Sequence, residues 1–181
     1  IRYLVGTTAS ASGAITTSGI DTTGADFIVI TLACDDAYNT DPTDSKSNSW
    51  TQLTSYTQAN VRVRVWYSTP SSVGSAHTFS FSGTAFGTAT VMAFSGLLQT
   101  TPNDQQNGSN GFVATLQPGS ITPTEDGSLI VTVVGINSAG SPISIDSDFI
   151  ETFETDFNAG NYYGGASAYL IQGPKVAENP T

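Results

Sequence analysis

The chain has 181 residues and a single cysteine, enough for one domain of ordinary size to bury its core without disulfide bonds. Threonine and serine contribute 26 and 22 residues and only 11% of residues are charged, which favours strands and turns and nearly excludes a helical protein. The net charge of −10 argues against nucleic-acid binding and against anionic membranes. We also expect no membrane insertion, because no apolar stretch approaches the roughly 20 residues that cross a bilayer.

Short apolar segments with a period of two recur along the whole chain, separated by Gly, Asn, Asp, Ser and Pro. This pattern is typical of β-strands. Ten segments are predicted as strands: 2–5, 26–34, 49–56, 60–68, 76–82, 88–94, 111–116, 128–136, 149–153 and 162–171. Ten strands of this length predict an all-β fold, a two-sheet antiparallel β-sandwich that is jelly-roll-like.

Two of these segments indicate how the sheets are covered. The segment 27–34 is apolar on both faces, which predicts a central strand buried on each side. The segment 61–67 alternates, with three valines on one face and Arg62, Arg64 and Trp66 on the other. We expect the valine face to be core.

The two parts of the chain resemble each other at an offset of about 100 residues. Gly24 to Val29 matches Asp126 to Val131, and the alternating strand that ends in Trp66-Tyr67 matches the one that ends in Tyr169-Leu170. The halves, about 1–98 and 112–181, are joined by a polar loop at 99–111. We expect one domain, 1–181, rather than two small domains with a linker, because a half without disulfides is only marginally stable alone.

The second copy reaches Thr181 where the aromatic strand of the first copy should have its counterpart. We therefore expect either a chain that is cut short or a last strand that comes from elsewhere. Because the first residue is Ile1 and not Met, we also expect a processed, trimmed or partial chain.

Four segments carry a resemblance to a known family: 24–32, Trp50-Thr51-Gln52-Leu53, 63–67 and Ala93-Phe94-Ser95-Gly96. In these segments the chain resembles β-sandwich modules of phage virion proteins, especially tail and fibre components, and of bacterial exported or cell-surface proteins. The resemblance implies a non-catalytic scaffold or adhesion role. It supplies no catalytic residues.

Catalytic chemistry finds few candidates in the sequence. His77 is the one histidine and shares a strand face with two phenylalanines, and no Gly-x-Ser-x-Gly motif occurs, so we interpret it as structural. Cys34 ends an apolar strand and is interpreted as an inert core thiol. A glycosidase needs two facing carboxylates, whereas most acidic residues here lie in predicted turns. We therefore expect no enzymatic activity.

An acidic loop is the densest cluster of side-chain oxygens. Calcium accepts six to eight oxygen ligands and tolerates irregular loops, so the loop predicts either a solvated turn or a weak calcium site. No other cofactor is expected. The ligands of such a site would be Asp35, Asp36, Asn39, Asp41 and Asp44.

Two aromatic clusters could contact a ligand or a partner. Arg62, Arg64 and Trp66 combine guanidinium groups with an indole, which can pack on sugars or bind acidic side chains. Tyr162 and Tyr163 follow a Gly-containing turn. Ordinary packing is the alternative interpretation for both clusters.

The sequence thus favours a structural virion protein, a tail, fibre or capsid-decorating component. It would lie at the virion surface or outside the cell, in contact with copies of itself, other virion proteins or a host surface. The alternative is a carbohydrate-binding module of a secreted bacterial protein, with Trp66, Tyr162 or Tyr163 stacking on a surface glycan.

Overall fold

Strands and turns account for the regular structure of the described residues. The computed structural model describes residues 1–83, 85–97, 100–137, 143–146, 148–157 and 163–181, with the backbone alone for 155–157 and 163. Among these residues there is no helix that could span a membrane. The strands are β1 (Arg2–Ser12), β2 (Ile15–Thr16), β3 (Phe27–Asp35), β4 (Thr43–Asp44), β5 (Thr51–Gln52), β6 (Tyr56–Gln58), β7 (Val61–Ser68), β8 (Phe79–Phe81), β9 (Phe86–Ser95), β10 (Leu129–Asn137), β11 (Ile150–Phe157) and β12 (Tyr163–Ile171).

The strands form three antiparallel sheets. The main sheet has the order β1-β9-β3-β7-β5, and β6 also pairs with β7. The repeat sheet has the order β10-β12-β11, and the small sheet has the order β2-β8-β4. The prediction of an antiparallel β-sandwich is confirmed, and the structure adds the small sheet as a further layer.

The main sheet lies in the middle because its central strand is apolar on both faces. Ile28, Ile30 and Leu32 on β3 pack with the aromatic side chains of the small sheet. Phe27 and Val29 on the opposite face pack with side chains of the repeat sheet. The expectation for the 27–34 segment is therefore met, with burial on each side.

The expectation for β7 names one buried face, but both faces are covered, since Val61 is 8% exposed and Val65 packs against the core cluster that contains Phe27. Arg64 and Trp66 are only 7% and 1% exposed, whereas Val63 and Val65 are half-buried. The Trp66 indole joins the core beneath the small sheet, and loop groups supply polar partners for the arginine beside it. Arginine can lie inside when its guanidinium is satisfied in this way.

The repeat sheet reproduces the pairing of the main sheet. Ile28 pairs with Ser68 in the main sheet, and Ile130 pairs with Leu170 in the repeat sheet, so both partners are displaced by 102 residues. The register of pairing with β7 shifts between Gln52 on β5 and Tyr56 on β6. In the repeat sheet, the register of pairing with β12 shifts between Glu151 and Phe153 on β11. The resemblance between the halves is thus a repeat of register as well as of sequence.

Nine of the ten predicted segments contain a strand, and 111–116 does not. The sequence also missed β2 and β4, which are only two residues long. Two residues are too few to show an alternating pattern.

Candidate functional site

A large groove separates the main sheet from the repeat sheet along one side. Its volume is about 1710 Å³. Its floor is the valine face of β7, one wall is β10, and the other wall is the connecting segment, residues 100–128. We call it the intersheet groove.

The wall formed by β10 is a free sheet edge. Within the described part of the chain, β10 pairs with β12 alone. Gln172 N–H donates to the carbonyl of Ser128 at 3.0 Å, so the backbone groups of Ser128 face β12. From Ser128 onward, the backbone groups of successive residues point alternately towards β12 and away from it. Those of Leu129, Val131 and Val133 point away from β12. Such a row of backbone donors and acceptors is a template for another strand.

The opposite wall holds apolar side chains in solvent. Phe112 and Val113 are 85% and 63% exposed, although they belong to the segment 111–116 that the sequence predicts as a strand. Nearby polar groups hold the connecting segment on the main sheet: Asn110 Nδ2 donates to the carbonyl of Thr57, and Thr54 N–H donates to Gln106 Oε1. Exposed apolar side chains beside an apolar groove make this surface a candidate contact site.

The groove has an apolar floor, and acidic residues are among those that line it. Asp104, Glu125, Asp126 and Asp146 line it, and its described lining contains no Lys or Arg. A lining of this composition is complementary to neutral or basic groups rather than to acidic ones.

Arg64 and Trp66, which the sequence offered as a ligand surface, lie in the interior. The Arg64 guanidinium carbon stands 4.4 Å from the centre of the Trp66 ring. Its Nη1 donates to the carbonyl of Thr40, and its Nη2 donates to Asp41 and Gln52. Burial lowers the pKa of this guanidinium, and the Asp41 carboxylate opposes that shift. The contacts of both side chains within the fold agree with ordinary packing, the alternative interpretation of this cluster.

Arg62 and the tyrosine cluster complete the predicted contact residues. Arg62 Nε donates to Thr57 Oγ1 at 3.1 Å, and its Nη1 donates to Asn39 Oδ1. Tyr162 lies outside the described residues, and Tyr163 is described by its backbone alone, at the start of β12.

The predicted calcium ligands go to different partners. Asn39 accepts from Arg62, Asp41 accepts from Arg64, and Asp35 Oδ1 accepts from the backbone of Ala37. Asp44 turns inward, and Asp36 lies partly exposed after β3. No three His, Cys, Asp or Glu side chains among the described residues are grouped to hold a metal ion.

Asp44 is the centre of a buried network that the sequence did not indicate. Its side chain is fully buried and accepts five hydrogen bonds. The donors are the backbone N–H groups of Lys46 and Asn48, the Asn48 amide, the Trp50 indole and, at 2.9 Å, His77 Nε2. In the sequence, the residues of this network appear only as Asp44, Lys46, Asn48 and Trp50 within a stretch of seven residues. Such a composition is typical of any polar turn.

His77 connects Asp44 to a threonine hydroxyl. Thr22 Oγ1 lies 2.9 Å from His77 Nδ1, so hydroxyl, imidazole and carboxylate stand in the order that a hydrolase uses. All three side chains are fully buried, and Gly74 N–H also donates to the Thr22 hydroxyl. A substrate could reach that hydroxyl only after the Gly74 loop opened. The network therefore supports the structural interpretation of His77, which also stacks on Phe79.

Cys34 is buried at the end of β3. Burial raises the pKa of its thiol from 9.0 to about 12, against the lowering effect of Arg64 and Arg62. A thiol with such a pKa is a poor nucleophile near neutral pH.

Comparison of the chain with protein-family models, curated proteins and solved structures finds no match.

Proposed function

We propose that the chain is a non-enzymatic structural β-sandwich of a phage virion, part of a tail, fibre or capsid-decorating component. It acts by contact with copies of itself, with other virion proteins or with a host surface. The intersheet groove carries the proposal, because it combines an apolar floor, two exposed apolar side chains and an edge of β10 that no strand in the described part of the chain pairs with. The resemblance of the four sequence segments supports the virion assignment.

The buried polar groups support a role without catalysis. The Thr22, His77 and Asp44 side chains join three segments that are far apart in the sequence, and the Cys34 thiol is held as a neutral core group. These contacts are accounted for by folding alone.

The carbohydrate-binding alternative depends on exposed aromatic residues, and Trp66 is not exposed in this structure. A stacking platform needs an exposed aromatic face, and Trp66 packs instead against Phe81 in the core. We do not propose this function further.

Mass spectrometry of virions purified from the source phage tests the proposal. We expect the chain among the particle proteins in a fixed copy number, retained after washing at high salt, since an apolar contact resists screening. A chain found only outside the particles, or one that hydrolyses a glycan or peptide substrate, would contradict it.

A further inference from the structure

We infer that Asn107 is a site of spontaneous deamidation, and that the product opens a contact within the connecting segment. Deamidation replaces the side-chain amide with a carboxylate and consumes only water. The inference does not depend on the function proposed above.

The connecting segment contains both Asn-Gly pairs of the chain, Asn107-Gly108 and Asn110-Gly111. When glycine follows asparagine, its backbone nitrogen reaches the side-chain amide carbon readily, because glycine has no Cβ to obstruct the approach. Both asparagines are exposed, so water can enter and ammonia can leave. The sequence alone does not separate the two sites.

The structure brings the reacting groups of the first pair together. Gly108 N–H donates to Asn107 Oδ1 at 2.9 Å, so the attacking nitrogen lies against the amide group that it attacks. Asn107 Nδ2 donates to the carbonyl of Ser120 at 3.2 Å, and the two contacts together fix the orientation of the amide. Asn110 instead turns its Nδ2 to the carbonyl of Thr57 at 2.9 Å, 53 residues away. Reacting groups held in contact form a bond faster than groups that must first meet.

The packing around the first pair maintains this arrangement. A Cβ at position 108 would lie 2.2 Å from the Tyr56 ring, so glycine alone fits against that ring. A Cβ at position 119 would lie 2.5 Å from Asn107 Nδ2, so the amide rests directly on the Gly119 backbone. Gly119 has a φ of +99°, which glycine adopts readily. The Asn107 amide is therefore held on one side by Gly119 while the residue stays exposed to water.

The reaction balances with water as its one co-reactant. The Gly108 nitrogen forms a bond to Asn107 Cγ and loses its proton, the Cγ–Nδ2 bond breaks, and ammonia leaves with that proton. Water then opens the cyclic imide at one of its two carbonyl carbons. One opening gives aspartate, and the other gives isoaspartate, in which the main chain runs through the former side chain.

Either product loses the donor that Asn107 supplies to Ser120. The connecting segment has two arms, residues 100–110 and 117–128, which are joined by side-chain contacts between residues 104 and 124, 105 and 122, and 107 and 120. A carboxylate at position 107 has only acceptors to offer, and the Ser120 carbonyl is an acceptor too. The contact therefore opens, and the neighbouring one, from Thr122 N–H to Gln105 Oε1, is weakened.

Peptide mapping of the full chain by mass spectrometry tests the site. The chain is kept at mildly alkaline pH, folded in one series and unfolded in urea in another, and the acid content at both Asn-Gly pairs is followed with time. Asn110 is the matched control, because it precedes glycine in the same exposed segment. In the folded chain we expect Asn107 to convert at least about threefold faster than Asn110. In urea the two rates should agree within about twofold, because the native contacts are lost.

Two variants test the consequence. Asn107→Asp carries the acidic product, and Asn103→Asp adds the same charge at an exposed position of the same arm. We expect hydrogen exchange at Thr122 N–H to be at least about threefold faster in Asn107→Asp than in Asn103→Asp, because only the first variant removes a contact between the arms.

Three results would overturn the site: no conversion of Asn107, conversion no faster than at Asn110 in the folded chain, or the same preference for Asn107 in urea. Equal exchange at Thr122 in the two variants would overturn the claim that deamidation opens the contact between the arms.

Discussion

Among single residues, Asp44 joins parts of the chain that are far apart in sequence. Its carboxylate holds the turn through residue 50 and reaches His77, which in turn reaches Thr22. A buried carboxylate is stable only when its lone pairs are satisfied, and here five donors satisfy them. The network is therefore important to the stability of the small sheet.

Replacement of this carboxylate should be strongly destabilising. Asp44→Ala leaves buried donors of His77 and Trp50 without a partner, and we expect a loss of about 3 kcal/mol in the free energy of unfolding. Urea denaturation measures it. Asp21→Ala is the matched control, because Asp21 accepts its hydrogen bonds from Thr23 in an exposed turn. Equal losses for the two variants would show that the buried network is not important.

The raised pKa of the Cys34 thiol predicts that the protein loses stability at alkaline pH. Its pKa is about 12 in the folded chain and 9.0 ordinarily, so above pH 9 the unfolded chain releases a proton that the folded chain keeps. Its contribution to stability is complete below pH 9 and declines as pH rises towards 12, with a slope of up to about 1.4 kcal/mol per pH unit. Three buried or half-buried tyrosines have raised pKa values too.

Comparison with Cys34→Ala separates the thiol from the tyrosines. We expect that variant to be less stable at neutral pH, because it leaves a cavity, but to lose stability less steeply at alkaline pH. Urea midpoints measured from neutral to alkaline pH give both slopes. Parallel slopes for the two proteins would contradict the assignment.

At the scale of elements, the repeat sheet approaches the main sheet through glycine. A Cβ at Gly165 would lie 2.6 Å from the Cβ of Ala33, a distance that real side chains do not tolerate. Close by, the Thr31 and Ser167 hydroxyls are hydrogen-bonded across the same interface at 2.7 Å. The two sheets are thus in direct contact, and a side chain at this point must separate them.

Gly165→Ala should therefore destabilise the protein by about 1–3 kcal/mol, the usual cost of overpacking a core. Ala33→Gly in the same chain should restore a large part of that loss, because it removes the atom that clashes. Gly173→Ala is the control, since its Cβ would meet nothing within 4 Å. Thermal unfolding of the four proteins measures the effect, and absence of rescue would show that the sheets are not in contact there.

Elements with a strong periodic pattern were predictable, and short or partner-dependent ones were not. β3 shows its two apolar faces directly in the sequence. The alternation in β7 also predicts a strand, but alternation does not show which face is covered. Arg64 lies inside because loop carbonyl and carboxylate groups accept hydrogen bonds from its guanidinium. The segment 111–116 has the residues of a strand, yet pairing depends on a neighbour that its own sequence does not contain.

In the whole molecule, the main sheet is covered on one face by the small sheet and on the other by the repeat sheet, which reproduces three of its strands in the described part of the chain. The repeat was visible in the sequence at an offset of about 100 residues. The intersheet groove was not, because a groove depends on the spacing of layers that are far apart along the chain. The acidic loop illustrates the same limit, since its side chains are divided among Arg62, Arg64 and His77.

Residue-resolved amide hydrogen exchange of the free protein tests whether the outer edge of β10 is open. We expect an alternating pattern on β10, with fast exchange at Leu129, Val131 and Val133 and slow exchange at Ile130 and Thr132, because only the amides of Ile130 and Thr132 face β12. On β3, which has a neighbour on each side, exchange should be slow at successive residues. Uniform protection along β10 would contradict an open edge.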